Sequence, residues 1–226
     1  MAGIDSLNIS VVNIGLCSVE LVYFAVANQG FDAGIMITAS HNPKEYNGFK
    51  MVVKNDGGLD IVSGKKLQSL INEIDGTSMG PVNKNFPKKD ILKDYGEYIL
   101  NFFNLKSIKK FKIIIDVSSG TAGEFISSLE PHMPVEVIKL NFTPDGNFPS
   151  HSPNPLEKGA RDQISEAVKT EKADFGIIFD ADGDRIFLID ERGNFVPADI
   201  TLLFLAQNFI IKEKYIYQVI VLFIFQ

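Results

Sequence analysis

The chain has 226 residues, 45% of them hydrophobic and 22% charged, which is the make-up of a globular protein rather than a disordered or fibrous one. Its net charge of −6, with no run of Lys or Arg, argues against nucleic acid as a partner. A single cysteine, Cys17, rules out an internal disulfide and fits a reducing compartment, most simply the cytoplasm. No basic and apolar leader is read at the start.

Asp5 to Val12 reads as a short strand. Ser18 can cap a helix through Ala27, with Glu20 in its first turn and Gly30 just past its end. Ala33 to Ile37 reads as a buried strand, so a βαβ unit with a parallel pair is expected here. Beyond that strand runs Thr38-Ala39-Ser40-His41-Asn42-Pro43-Lys44-Glu45-Tyr46-Asn47-Gly48, a polar excursion that turns at Asn47-Gly48 into a second strand, Phe49 to Val53. Ser40 can act as a nucleophile or carry a phosphoryl group. His41 and Lys50 can move a proton or bind a phosphate. Ser63 caps a further helix with Leu67, Leu70, Ile71 and Ile74 on one face, closed by Gly76.

Gly76 to Pro87 reads as a connection. Asp90 can cap a helix reaching Leu105, and a second α/β unit follows. In it Phe111–Ile115, Val135–Leu140 and Phe175–Phe179 are strands, while Glu124–Leu129 and Gly159–Thr170 are helices. The Gly120-Thr121-Ala122-Gly123 stretch lacks a full dinucleotide fingerprint and reads as a tight strand-to-helix turn. Thr143 to Pro155 is a long irregular loop in which His151 reads as a loop residue, and His132 reads as surface. The apolar run Tyr215 to Phe225 is shorter than the ~18 residues of a membrane span, so no membrane is expected.

The last strand of the second unit ends in Asp180-Ala181-Asp182-Gly183-Asp184-Arg185. Three carboxylates at alternate positions repel one another unless a cation offsets them. An all-oxygen set with no nearby Cys or His selects a hard ion, and Mg²⁺ with open positions suits it. Arg185, always charged and fork-shaped, suits a phosphate beside that ion. An EF-hand is disfavoured, because Arg185 stands where that loop needs glycine. Either motif alone also occurs as a plain solvated turn; the pair at two strand ends points to one site.

Together the two motifs resemble those of the α-D-phosphohexomutase family, nearest its phosphomannomutase/phosphoglucomutase branch. The likeness extends to Ile14-Gly15-Leu16-Cys17-Ser18, Asp145-Gly146-Asn147-Phe148-Pro149 and Pro153-Asn154-Pro155. One departure is Val19-Glu20 in place of the family's Thr-Pro, which alters the start of the helix rather than the chemistry. The resemblance implies α/β/α domains with mixed, largely parallel sheets. They would divide into a phosphoserine domain over 1–88, a metal-binding domain over 89–196 and the start of a third over 197–226.

It also implies that Ser40 is carried as phosphoserine, with Mg²⁺ held by Asp180, Asp182, Asp184 and an oxygen on Ser40. Arg185 would stabilise phosphoryl charge, and Lys50, ahead of His41, would take the sugar hydroxyl's proton. The implied partners are a hexose monophosphate (mannose or glucose, with glucosamine phosphate as the alternative) and a hexose bisphosphate. Sugar-selecting and further phosphate-binding loops of the family are not found, so little turnover is expected of these residues alone. The alternative from another class is a non-catalytic Mg²⁺-binding or partner-binding module.

Overall fold

The computed structural model describes residue 4 and residues 9–73 and 85–213. Helix α1 (Val19–Asn28) follows a buried Ser18 in extended conformation and covers one face of a three-stranded sheet. The strands are β1 (Ala33–Ile37), β2 (Phe49–Asn55) and β3 (Gly58–Ile61), in the order β1-β2-β3 and antiparallel throughout. Leu21, Val22, Ala25 and Val26 of the helix pack with Val52 of the sheet. Gly34 permits that approach, since a Cβ there would lie 2.7 Å from a Val22 methyl and 2.9 Å from a Val26 methyl.

Two expectations change here. Ala33–Ile37 is not buried on both faces: Ile35 is 47% and Ile37 62% exposed, because α1 covers only the alternate side chains. Among the described residues β1 pairs with β2, antiparallel, and the strand expected to lie parallel to it falls partly outside them. Of the expected first strand, residues 5–8 lie outside the described residues, and 9–12 are not strand. Helix α2 (Gly64–Glu73) starts as expected, with Lys66 N–H donating to Ser63 Oγ at 3.3 Å, but none of its residues is buried. Ile74, Gly76 and the connection as far as residue 84 lie outside the described residues, as does Tyr215 to Phe225.

The second unit comprises α3 (Leu92–Phe102), β4 (Phe111–Asp116), α4 (Gly123–Leu129), β5 (Val135–Leu140), α5 (Asp162–Glu171), β6 (Phe175–Phe179), β7 (Ile186–Ile189) and β8 (Phe195–Val196), and α6 (Ala198–Glu213) follows it. The sheet order is β5-β4-β6-β7-β8; β4 is parallel to β5 and β6, and the two later pairs are antiparallel. The continuous apolar run of β4 is explained by burial on both faces. Ile114 joins Ile164 and Val168 of α5 on one side, while Ile113 and Ile115 join Ala122 and Ile126 on the other. Helix α3 stops at Phe102, before Leu105, and α5 begins at Asp162 rather than Gly159. Among the described residues, no helix is long and apolar enough to cross a membrane.

Several contacts join the two sheets. Tyr95 of α3 stands between Phe24 of α1 (5.1 Å) and Phe125 of α4 (4.7 Å). Val19 N–H donates to Asp182 O at 3.1 Å, and Ile91 packs into the α1 core. Lys44 also reaches Asn147 at 3.5 Å, tying the loop after β1 to the Thr143–Pro155 loop.

That long loop is anchored by His151, which is a buried partner and not merely a loop residue. Its Nε2 lies 3.0 Å from Oδ2 of the fully buried Asp116, and its Nδ1 lies 2.8 Å from Ser152 O. A carboxylate at Nε2 and a carbonyl at Nδ1 favour the doubly protonated ring, although Asn141 Nδ2 also stands 3.2 Å from Nε2. Burial pulls the His151 pKa down, but the hydrogen bonds and charge of Asp116 and the Ser152 carbonyl raise it overall. A histidine whose folded pKa exceeds its unfolded one adds stability in full below about pH 6.5 and loses it as pH rises through the folded value. The unfolding midpoint should therefore fall in the wild type as pH rises above about 6.5. In His151→Ala that slope should flatten, with a loss of about 3 kcal/mol at pH 6; chemical denaturation across pH measures both.

Candidate active site

Strand β1 delivers Thr38, Ala39 and Ser40 beyond its carboxyl end, and the hairpin stays closed through Thr38 N–H to Gly48 O at 3.0 Å. Two tight turns compact the loop, Asn42 N–H to Ala39 O and Tyr46 N–H to Pro43 O. Ser40 has φ 53°, a left-handed conformation uncommon outside glycine, and such strain gathers at functional positions. It is fixed by Ser40 N–H donating to Thr38 Oγ1 at 2.8 Å, while that hydroxyl donates to Asp182 Oδ2 at 3.0 Å.

The acids leave the carboxyl end of β6. Arg185 N–H donates to Asp180 Oδ1 at 3.1 Å, and Gly183 N–H to Asp180 O at 3.1 Å, which curls the loop back on itself. Gly183, at φ 79°, supplies the left-handed residue that the curl needs. From outside, Thr121 N–H donates to Ala181 O at 2.9 Å. The Gly120–Gly123 turn is thus the tight strand-to-helix turn expected, and it also buttresses the acidic loop.

The geometry brings the sequence-predicted residues together across the two sheets. Ser40 Oγ lies 3.2 Å from both Asp180 Oδ2 and Asp182 Oδ1, although its one proton can serve only one of them at a time. His41 Nδ1 is 3.4 Å from Ser40 Oγ. Lys50 Nζ sits 2.8 Å from Asp182 Oδ2 and also contacts Asp184 Oδ2. Arg185 Nε is 3.8 Å from Asp180 Oδ2, with its side chain half exposed. Beside Ser40 opens a cavity of about 450 Å³, bordered by Thr38, Lys44, Ser119 and Asp182. Thr38 and Gly120 stood inside recognised stretches, but only their contacts reveal their part.

One carboxylate oxygen from each of Asp180, Asp182 and Asp184 can gather with all three within 4.8 Å of one another. Asp180 and Asp182 are buried and Asp184 is exposed. Burial and then the Asp182 charge push the Asp180 carboxyl up to about 6, against the opposing Arg185 amide. Three acids and a hydroxyl in one place make a hard-cation donor set, and the Lys50 ammonium already takes the position of positive charge among them. Burial works against the charge on Lys50, yet the two carboxylates outweigh it and raise its pKa. The residues fit a divalent ion.

Two family models match the chain: "Phosphoglucomutase/phosphomannomutase, alpha/beta/alpha domain I" over residues 1–77 and domain II of the same description over residues 93–193. A phosphomannomutase of Vibrio cholerae is 37% identical over 218 residues, covering 94% of this chain and 47% of that protein. A protein of Xanthomonas campestris named "Phosphohexose mutases" is 35% identical over 214 residues, covering 94% and 47%. The crystal structure of a phosphoglucomutase/phosphomannomutase family protein from Burkholderia thailandensis superposes with a TM-score of 0.76 at 28% identity, covering 91% of this chain and 45% of that one. The chain therefore spans about half the length of the curated relatives it matches.

The buttress behind the acids offers a direct test of how they are held. A Cβ on Gly120 would lie 2.2 Å from the Ala181 carbonyl oxygen, so Gly120→Ala must displace the Asp180–Asp182 backbone. The expected outcome is a loss of about 2 kcal/mol in urea unfolding, together with weaker Mg²⁺ binding in calorimetric titration.

Proposed function

Because the chain belongs to the phosphoglucomutase/phosphomannomutase family, we propose that it carries the phosphoryl-transfer centre of a hexose phosphate mutase, with Ser40 as the phosphoryl carrier. The observation that supports this best is the Ser40 hydroxyl, 3.2 Å from two buried carboxylates supplied by the other sheet. In this reading residues 1–88 present the serine, 89–196 present the acids, and 197–226 begin a third unit. A cytoplasmic location fits the lone, buried Cys17.

Asp180, Asp182, Asp184 and an oxygen on Ser40 would hold Mg²⁺, which when bound supplies positive charge to the phosphoryl oxygens. The bond between phosphorus and Ser40 Oγ breaks as a bond from phosphorus to a sugar hydroxyl oxygen forms. The hydroxyl's proton leaves to a base, and the serine oxygen regains one when the carrier is emptied. Arg185 and Lys50 place fixed positive charge around the group in flight, a task of positioning and electrostatics. Lys50 is the favoured proton acceptor and His41 the alternative. Asp182 and Asp184 hold Lys50 in its cationic form, which suits charge stabilisation and proton donation. For Lys50 to accept a proton, those carboxylates must turn elsewhere. The return of the second phosphate to Ser40 would complete the exchange of hexose 1-phosphate and hexose 6-phosphate.

In this reading loading of Ser40 draws chiefly on the residues described above, whereas full turnover also draws on remote contacts to the sugar phosphate. Incubation with glucose 1,6-bisphosphate and Mg²⁺ should add the mass of one phosphate to the intact chain and none to Ser40→Ala. Label surviving that substitution would remove Ser40 from its role. Turnover of mannose 1-phosphate, glucose 1-phosphate or glucosamine 1-phosphate by the 226 residues alone should be slight, as read by coupled assay. If the chain takes up Mg²⁺ but no phosphate, the non-catalytic module is the better reading.

A further inference from the structure

The opening turn of α1 brings an acid up behind the Asp180–Asp184 loop. Glu20 follows Val19, the residue whose backbone N–H donates to Asp182 O at 3.1 Å. Its Oε2 lies 3.9 Å from the point at which a side chain on Gly183 would begin. Glu20 therefore faces the turn between two of the three clustered acids. Glu20, Gly183, Asp184 and Arg185 border one cavity of about 260 Å³, whose other walls include Phe125 and Phe179. A half-buried carboxylate is an expensive occupant of such a place.

The charges acting on Glu20 make the placement more demanding. Burial and the nearby Asp184 and Asp182 push its carboxyl up, against the pull of its own backbone N–H and the Ser18 hydroxyl. The leading charges acting on it in this way, those of Asp184 and Asp182, are both negative. Its own field is felt in turn by Cys17, Tyr23 and Tyr95, each of whose protons it helps to retain. A carboxylate opposed by two others is relieved when a cation arrives among them. By reciprocity, it must strengthen the hold on that cation.

We infer that Glu20 is an electrostatic positioning residue for the divalent cation of the Asp180, Asp182 and Asp184 cluster, a fourth acid acting through space from the far side of the loop. The inference rests on the metal-binding reading given above. It adds a residue of the first sheet's helix to the field of a site whose carboxylate ligands all belong to the second unit. Helix α1 thereby meets the loop twice, holding it by the Val19 amide and adding the Glu20 charge to its acids.

Calorimetric titration of the full chain with Mg²⁺ tests this in wild type, Glu20→Gln, Glu20→Lys and the exposed control Glu166→Gln. The expected affinities fall by about fivefold for Glu20→Gln and further for Glu20→Lys, with the control unchanged. In chelator, Glu20→Gln should unfold at or above the wild-type midpoint, because a mutual repulsion has been removed. A residue that merely supports the fold would lower that midpoint, and such a result overturns the inference. Equal Mg²⁺ affinity in wild type and Glu20→Gln overturns it too, while leaving the metal site standing. Wild type that binds no Mg²⁺ overturns both.

Discussion

Everything in this site depends on one close approach, that of a serine hydroxyl to two carboxylates 140 and 142 residues later in the chain. Oxygens bearing negative charge do not gather without a reason, and here the backbone compels them. Asp180 is tied to its own loop by the Arg185 amide and by its carbonyl's bond to Gly183. The serine, for its part, is bent into a left-handed conformation by its bond to Thr38. The Lys50 ammonium tempers the repulsion without removing it. The result is a preorganised nest of oxygens, the arrangement in which fixed charges act most strongly on a group in transit.

The approach holds only because the two sheets are locked together. The Phe24, Tyr95 and Phe125 rings form a ladder from α1 through α3 to α4, and burial pushes the Tyr95 phenol up to about 12, so it stays neutral among them. Aromatic contacts set distance well but orientation less well. Orientation comes from hydrogen bonds at the loop itself, from Val19 to Asp182 and from Thr38 to Asp182. Asp182 is thus bonded through its backbone to one element of the first unit and through its side chain to another.

Much of this was legible in the sequence, and the exceptions have physical causes. Strands β4 and β6 were readable as short Ile- and Phe-rich runs with apolar clusters on both faces, and β5, whose Glu136 and Lys139 are exposed, from its β-branched residues. The same logic misread β1, where Ala-Gly-Ile-Met-Ile is apolar throughout although alternate side chains face outward. Strands β7 and β8 went unseen because they are four and two residues long, the first beginning directly after the acidic loop. The site residues were legible as motifs, since their chemistry is carried by residue type. The pairing of His151 with Asp116 was not, because 35 residues separate two ordinary polar side chains that only the fold unites. Glu20 was noticed only as a first-turn acid and as a departure from a pattern, and its significance lies in what stands across from it.

The outward-facing alternate residues of β1 carry a mechanical meaning. The acids ride on β6, a strand with a neighbour on either side and apolar clusters on both faces. The serine rides on β1, which has one neighbouring strand among those described and one covered face. Among the described residues the two halves of the nest are therefore unequally supported. In the proposed loading of Ser40, a change in the gap between them would fall mainly to the serine's side. The carboxylates act as the anvil, and the hairpin that bears Ser40 is the spring.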